Sequence, residues 1–105
     1  MNKGSTAEIE AKHKLIKDFG EFNVIKVSRG CGSGFDFAVL WGSNPSKLLK
    51  VVEVKSTKGK YPHWEKTQKE RIRRFCAFHG VPCEVWMRRA KGKGRKAEWE
   101  VKELE

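Results

Sequence analysis

Asp36, Glu53 and Lys55 are the residues whose types and spacing suit chemistry. Asp36 lies in Gly34-Phe35-Asp36-Phe37 and the other two in Glu53-Val54-Lys55, and both segments are predicted strands. Since strand side chains alternate between faces, Glu53 and Lys55 share one face. Acids on neighbouring strands form a hard-oxygen site for a divalent cation such as Mg²⁺. A lysine beside them is placed to orient or deprotonate a water, so this set suits phosphodiester hydrolysis.

Each member of this set also has a structural interpretation. Asp36 would cap the glycine-rich loop that precedes it, and Glu53 with Lys55 would form an ion pair on an exposed edge strand. The apolar run from Leu48 to Val54 instead favours a central strand that is covered on both faces, where charges are costly unless paired or functional. We therefore interpret Asp36 and Glu53 as metal ligands, with the backbone carbonyl of Val54 as a further ligand.

The elements that must position these residues follow from hydrophobic periodicity and turn residues. Two helices are predicted, ending at Gly20 and Gly80. The predicted helices cover about 5–19 and 65–79, and the predicted strands cover 22–28, 35–41, 47–55, 81 or 83 to 89, and 97–101. This order, α-β-β-β-α-β-β, predicts an α/β fold with a central mixed five-stranded sheet flanked by helices, in one domain spanning residues 1–105.

Glu8 has two open interpretations. Ser5-Thr6-Ala7-Glu8 has the pattern of a capping box, in which Glu8 would cap the first helix. Alternatively, Glu8 is a third acid at the start of that helix and reaches toward the metal.

The charge of the chain favours a polyanionic partner. Its 105 residues include 23 Lys and Arg against 13 Asp and Glu, for a net charge of +10 and a pI near 9.8. The candidate partners are DNA, RNA or an anionic membrane surface, and of these we expect nucleic acid; the alternative is an ordinary charge-rich surface. The candidate DNA-binding residues are Lys3, Arg29, Lys58, Lys60, Arg71, Arg73, Arg74, Lys91, Lys93, Arg95 and Lys96, although any one of them is equally well explained as solvated.

Other features bear on location and cofactors. No apolar run approaches the ~20 residues of a membrane span, and the N-terminus lacks the apolar stretch of a signal peptide. Cys31, Cys76 and Cys83 are odd in number without C-x-x-C spacing, which argues against structural zinc. We expect no membrane association and an intracellular location, in the cytoplasm or nucleoid, or in the host cytoplasm if the protein is viral.

Four stretches together resemble a known family. Gly34-Phe35-Asp36 followed by Glu53-Val54-Lys55 resembles the PD-(D/E)XK nuclease superfamily. Lys3-Gly4-Ser5-Thr6-Ala7-Glu8, the glycine loop from Ser28 to Asp36, and Phe75 to Pro82 occur in the same order as in the archaeal Holliday junction resolvases of that superfamily.

The resemblance implies a restriction-endonuclease-like fold and specific roles. Asp36 and Glu53 would ligate Mg²⁺, for which Mn²⁺ would substitute, and Lys55 would stabilise charge or position the attacking water. Glu8 would match the family's N-terminal glutamate and contact a second ion. Ser33 and Gln68 would be further catalytic residues, although Gln68 is equally well explained as an ordinary exposed helix residue.

The expected function is a metal-dependent DNA endonuclease that is selective for branched DNA. Since a four-way junction has two-fold symmetry, a resolvase needs two active sites and hence a homodimer. One alternative is a repair, restriction or viral DNA-processing nuclease of the same superfamily that acts on flaps, ends or nicks. Another is a non-catalytic basic nucleic-acid-binding module. Tyr61, His63 and Trp64 would stack on bases, or would anchor the loop before the second helix.

Overall fold

The protein is a five-stranded mixed sheet with two helices, in the predicted order. The computed structural model describes residues 3–27, 34–57, 62–92 and 94–105, with side chains from Thr6 onward. The elements are α1 (Lys3–Phe19), a 3-10 turn (Glu21–Asn23), β1 (Val24–Lys26), β2 (Phe37–Trp41), β3 (Lys47–Thr57), α2 (Gln68–His79), β4 (Cys83–Arg89) and β5 (Glu98–Glu103). The predicted α/β class and mixed sheet are therefore confirmed.

β3 is the central strand, as its apolar run predicts. The spatial order is β1-β2-β3-β4-β5, in which β3 and β4 pair parallel and all other pairs are antiparallel. α2 makes the crossover that a parallel pair requires. All four residues from Val51 to Val54 are buried, so both faces of β3 are covered.

Two apolar clusters cover the two faces of β3. On one face, Ala7, Ala11 and Leu15 of α1 pack with Phe37 and Val52. The spacing of those three α1 residues is the predicted helical one. On the other face, the cluster consists of Phe35, Val51, Ile72 and Cys83. Each fully buried aliphatic or aromatic side chain contributes roughly 1.5–3 kcal/mol, so β3 is held firmly between α1 and α2.

The capping-box prediction for α1 is wrong. The helix already includes Lys3, Gly4 and Ser5, whereas an N-cap residue must lie outside the helical conformation. Ser5 is thus inside the helix, so it does not occupy the N-cap position that a capping box with Glu8 requires.

Several predicted boundaries and faces also change. β1 is three residues long because residues 21–23 form a 3-10 turn, which leaves Phe22 88% exposed instead of facing the core. α2 begins at Gln68 and not near residue 65, and β3 and β5 extend to Thr57 and Glu103. On β5, Trp99 packs against the α1-side cluster, and Val101, two residues further on, is half-exposed. No helix in the described part of the chain is long and apolar enough to span a membrane.

Candidate active site on the central strand

The pairing of β2 with β3 brings the two predicted acids together. Phe37 lies opposite Val52, and continuing this register by one residue places Asp36 opposite Glu53. The Asp36 amide donates to the carbonyl oxygen of Val52 at 2.9 Å, which confirms that the ladder reaches this level. Cβ atoms of opposed residues lie about 4.5–5.5 Å apart, and the two carboxyl groups are close enough for Asp36 to raise the pKa of Glu53.

Glu53 is buried and surrounded by polar partners. It is 5% exposed and lies on the α2 side of the sheet, where Gln68 Nε2 donates to Glu53 Oε2. The ammonium of Lys55 lies 3.1 Å from the same oxygen. The predicted shared face of Glu53 and Lys55 is therefore confirmed, and each carboxylate contact offsets part of the cost of burial.

Gln68 connects the members of this cluster. Its Nε2 also donates to the backbone oxygen of Gly34 at 2.7 Å, and its Oε1 accepts from Lys55 Nζ at 2.9 Å. Gln68 is 7% exposed, so its interpretation as an ordinary exposed helix residue is wrong. Its Oε1 also accepts from the Glu65 amide at 3.4 Å, so the acceptor oxygen and both donor hydrogens of the amide are used.

Lys55 has a defined position. Besides the two oxygens, its Nζ lies 4.4 Å from the centre of the Trp64 ring, within cation–π range. Three contacts from different elements hold a side chain that is otherwise flexible, so the ammonium is pre-positioned beside the acids.

Asp36 is oriented by the backbone of β3. Its Oδ2 accepts from the Val54 amide at 2.8 Å. This bond directs the Asp36 carboxylate to β3. The proposed ligation by the Val54 carbonyl stays a prediction.

The electrostatics of the pair are unusual. Burial raises the pKa of Glu53 from 4.5 to about 8. The hydrogen bond to Asp36 and its charge act in the same direction, while Lys55 opposes them. Near pH 7, and without a bound cation, a proton therefore offsets the repulsion between the two carboxylates.

This pKa predicts how stability depends on pH when divalent cations are chelated. Between pH 4.5 and 8 the folded state holds a proton on Glu53 that the unfolded state has lost. The free energy of unfolding should therefore fall as pH rises through this window, by at most about 1.4 kcal/mol per pH unit from this group. Glu53→Gln should flatten the profile in urea titrations with EDTA, and the exposed Glu21→Gln should not. Parallel profiles for Glu53→Gln and wild type would contradict this assignment.

The donor chemistry of the pair fits a divalent cation. Mg²⁺ is commonly held by one or two carboxylates, with water and substrate phosphates completing its shell. Asp36 and Glu53 supply two such carboxylates, and a cation would replace the proton that their repulsion now retains. Across residues 3–27, 34–57, 62–92 and 94–105, however, no three His, Cys, Asp or Glu side chains form a group arranged to hold a metal ion.

Glu8 is accordingly not part of a three-acid group with Asp36 and Glu53. Its Oε2 instead accepts from Lys26 Nζ on β1 at 2.5 Å. The second-ion role of Glu8 stays a prediction, and Ser33 lies outside the described residues.

The predicted DNA-binding residues fall into two groups. Arg29, Lys58, Lys60 and Lys93 lie outside the described residues, as does the side chain of Lys3. Three of the described residues contact acids: Arg71 at 3.7 Å to Glu65, Arg74 at 2.7 Å to Glu70 and Lys91 at 2.5 Å to Glu98. Such exposed pairs are weak, so phosphates would compete for these cations. Arg71, Arg73, Arg95 and Lys96 lie on α2 or in the loop before β5.

Two residues beside the site were missed by the sequence prediction. Trp64 was considered only for base stacking or loop anchoring, although its ring contacts Lys55. Lys69 was not considered, yet its Nζ lies 5.1 Å from the centre of the same ring. Lys69 follows Gln68 directly, and a basic residue beside a predicted site residue was the only sequence signal available.

Comparison of the chain with protein-family models, with curated proteins and with solved structures found no match. Its function is therefore inferred from its own side chains.

Proposed function

We propose that the protein is a metal-dependent endonuclease that hydrolyses phosphodiester bonds in DNA. The observation that carries the proposal is the convergence of Asp36, Glu53, Lys55 and Gln68 from two strands and one helix. Buried acids whose pKa is strongly raised beside a positioned lysine are characteristic of functional sites. A purely structural role leaves the cost of two adjacent carboxylates unexplained.

The side chains divide the chemical work. Asp36 and Glu53 would hold Mg²⁺ or Mn²⁺, which when bound acidifies a water and neutralises charge on the phosphate. Lys55 would orient the attacking water or stabilise the negative charge that develops on phosphorus. Gln68 would keep Lys55 and Glu53 in place through its two bonds.

The charge and the fold support a DNA substrate. A net charge of +10 favours a polyanion, and phosphate contacts supply affinity without reading sequence. The α-β-β-β-α-β-β order, with Asp36 directly before β2 and Glu53 on β3, supports a restriction-endonuclease-like fold of the PD-(D/E)XK superfamily. We assign the chain to that fold as part of the proposal.

Branched DNA is the substrate that we favour within this class. The resemblance to Holliday junction resolvases leads to this choice, and a junction would engage a homodimer with two sites. Flaps, ends and nicks are the competing substrates, and they need only one site.

A panel of labelled substrates tests the proposed function. Four-way junction, flap, nicked duplex and intact duplex would be incubated at equal concentration with Mg²⁺ or with EDTA. We expect cleavage only with Mg²⁺, with paired nicks in the junction and slower cleavage of the intact duplex. Cleavage of flaps alone would replace the junction assignment. Binding to DNA without cleavage of any substrate would show a binding module and overturn the proposal.

A further inference from the structure

A groove adjoins the candidate site on the same face of the sheet. It has a volume of about 840 Å³, within the range of pockets that enclose a small ligand. Its walls come from the segment before α2, from α2 itself, and from β4, β5 and the residues that follow β5. A single nucleotide is of the size that such a groove can take.

The register of the sheet joins this groove to the site. Val85 and Met87, which line the groove, lie opposite Glu53 and Lys55 in the parallel β3–β4 pair. Opposed residues in neighbouring strands point to the same face. The apolar floor of the groove is therefore the immediate neighbour of the catalytic pair, and Trp64 lines the groove while contacting Lys55.

The charges in the groove are uneven. Arg89 and Lys102 both contact Glu100, at 3.3 and 3.5 Å. Lys69 has no carboxylate partner among the described residues, and its Nζ lies 5.1 Å from the Trp64 ring centre.

The register also places the acids. Glu100 lies opposite Met87 on the groove face of the sheet, where Arg89 and Lys102 pair with it, whereas Glu103 lies opposite Glu84, on the face toward α1. Arg73 donates to the Glu105 carbonyl oxygen at 2.7 Å. Lys69 is therefore placed to hold a phosphate at the Trp64 end of the groove, beside Lys55.

We infer that this groove binds one unpaired nucleotide next to the phosphate that is cleaved, with its phosphate on Lys69 and its base against Trp64 and Met87. This inference rests on the proposed function and narrows its substrate class. The enzyme would require a strand with an unpaired nucleotide beside the scissile bond, as branched and flapped DNA provide and intact duplex does not.

The test measures strand binding without cleavage. Fluorescence anisotropy in EDTA would compare a short labelled oligothymidine with a blunt duplex. Lys69→Ala should weaken binding of the single strand roughly tenfold, as expected for one charge-assisted hydrogen bond. The slope of log K for the single strand against log salt concentration should become shallower by about 0.7. Lys66→Ala, at an exposed lysine in the turn before α2, is the matched control.

A second comparison tests the base contact. Wild type should bind an abasic strand of equal length at least about fivefold more weakly than oligothymidine, since base–aromatic contacts contribute roughly 1–3 kcal/mol. Three results would each overturn the inference. The two strands could bind equally, Lys69→Ala and Lys66→Ala could weaken binding equally, or Lys69→Ala could weaken binding of the duplex as much as binding of the single strand. Mg²⁺-dependent cleavage that persists in those cases would leave the proposed function standing. Conversely, strand binding that depends on Lys69, without cleavage of any substrate, would support the nucleotide-binding groove and overturn the proposed nuclease function.

Discussion

Lys55→Ala should reduce Mg²⁺-dependent cleavage of DNA by about 10²- to 10⁴-fold, the range for losing a positioned proton-transfer group or a charge-stabilising donor. The ammonium is held by Glu53, by Gln68 and by the Trp64 ring, so the substitution removes a charge that is fixed beside the two acids. Lys55→Arg should not restore activity, because the planar guanidinium differs in shape from a compact ammonium. Single-turnover cleavage rates measure both effects.

Lys50→Ala is a closely matched control. Lys50 lies on the same strand, and its side chain is 16% exposed, compared with 13% for Lys55. It pairs with Glu84 at 2.8 Å and contacts Phe19 of α1, so it faces the opposite side of the sheet. Similar destabilisation of the two variants, with loss of cleavage only at position 55, is the expected result. Equal cleavage rates for the two variants would contradict the role of Lys55.

Gly34→Ala should damage stability and cleavage together. Gly34 has φ +89°, and an added Cβ would lie 3.1 Å from Ile72 Cγ1 and 3.2 Å from the Gln68 backbone oxygen. The left-handed conformation alone costs of order 1–3 kcal/mol for other residues. The close contacts would displace Gln68, whose Nε2 donates to the Gly34 oxygen. Because this hydrogen bond would be lost, the cleavage rate should fall at least about tenfold.

Gly20→Ala separates the two effects. Gly20 has a similar φ of +90° but no atom within 4 Å of an added Cβ. Gly20→Ala should therefore lower the free energy of unfolding only through backbone strain and leave the cleavage rate unchanged. Chemical denaturation and cleavage assays on both variants measure the difference. If Gly34→Ala loses no more stability than Gly20→Ala and cleaves normally, the packing of α2 on Gly34 does not support the site.

The positions of the two acids could be predicted because strand geometry is local. The alternation of Val52, Glu53, Val54 and Lys55 placed the charged pair on one face, and the turn after Trp41 made β2 and β3 neighbours. These features depend on residues that are close in sequence, and the structure confirms them.

The remaining site contacts could not be predicted because they depend on packing. Whether Gln68 is buried depends on where α2 begins and which face it turns to β3, and residue type does not determine either. The Lys55–Trp64 contact likewise joins β3 to the segment before α2. Local patterns also misled at Ser5, where helix propagation through Lys3–Ser5 overrode the capping signal.

Cleavage of a labelled four-way junction by Asp36→Asn is the measurement that bears most directly on the proposed site. Asparagine preserves the shape of Asp36 and an oxygen for the Val54 amide, but it removes the charge that a cation needs. The matched control is Asp18→Asn, at an exposed position near the end of α1. We predict that wild type and Asp18→Asn cleave with Mg²⁺, whereas Asp36→Asn folds normally and is at least about 10²-fold slower. Cleavage by Asp36→Asn at the wild-type rate would contradict a nuclease site at Asp36 and Glu53.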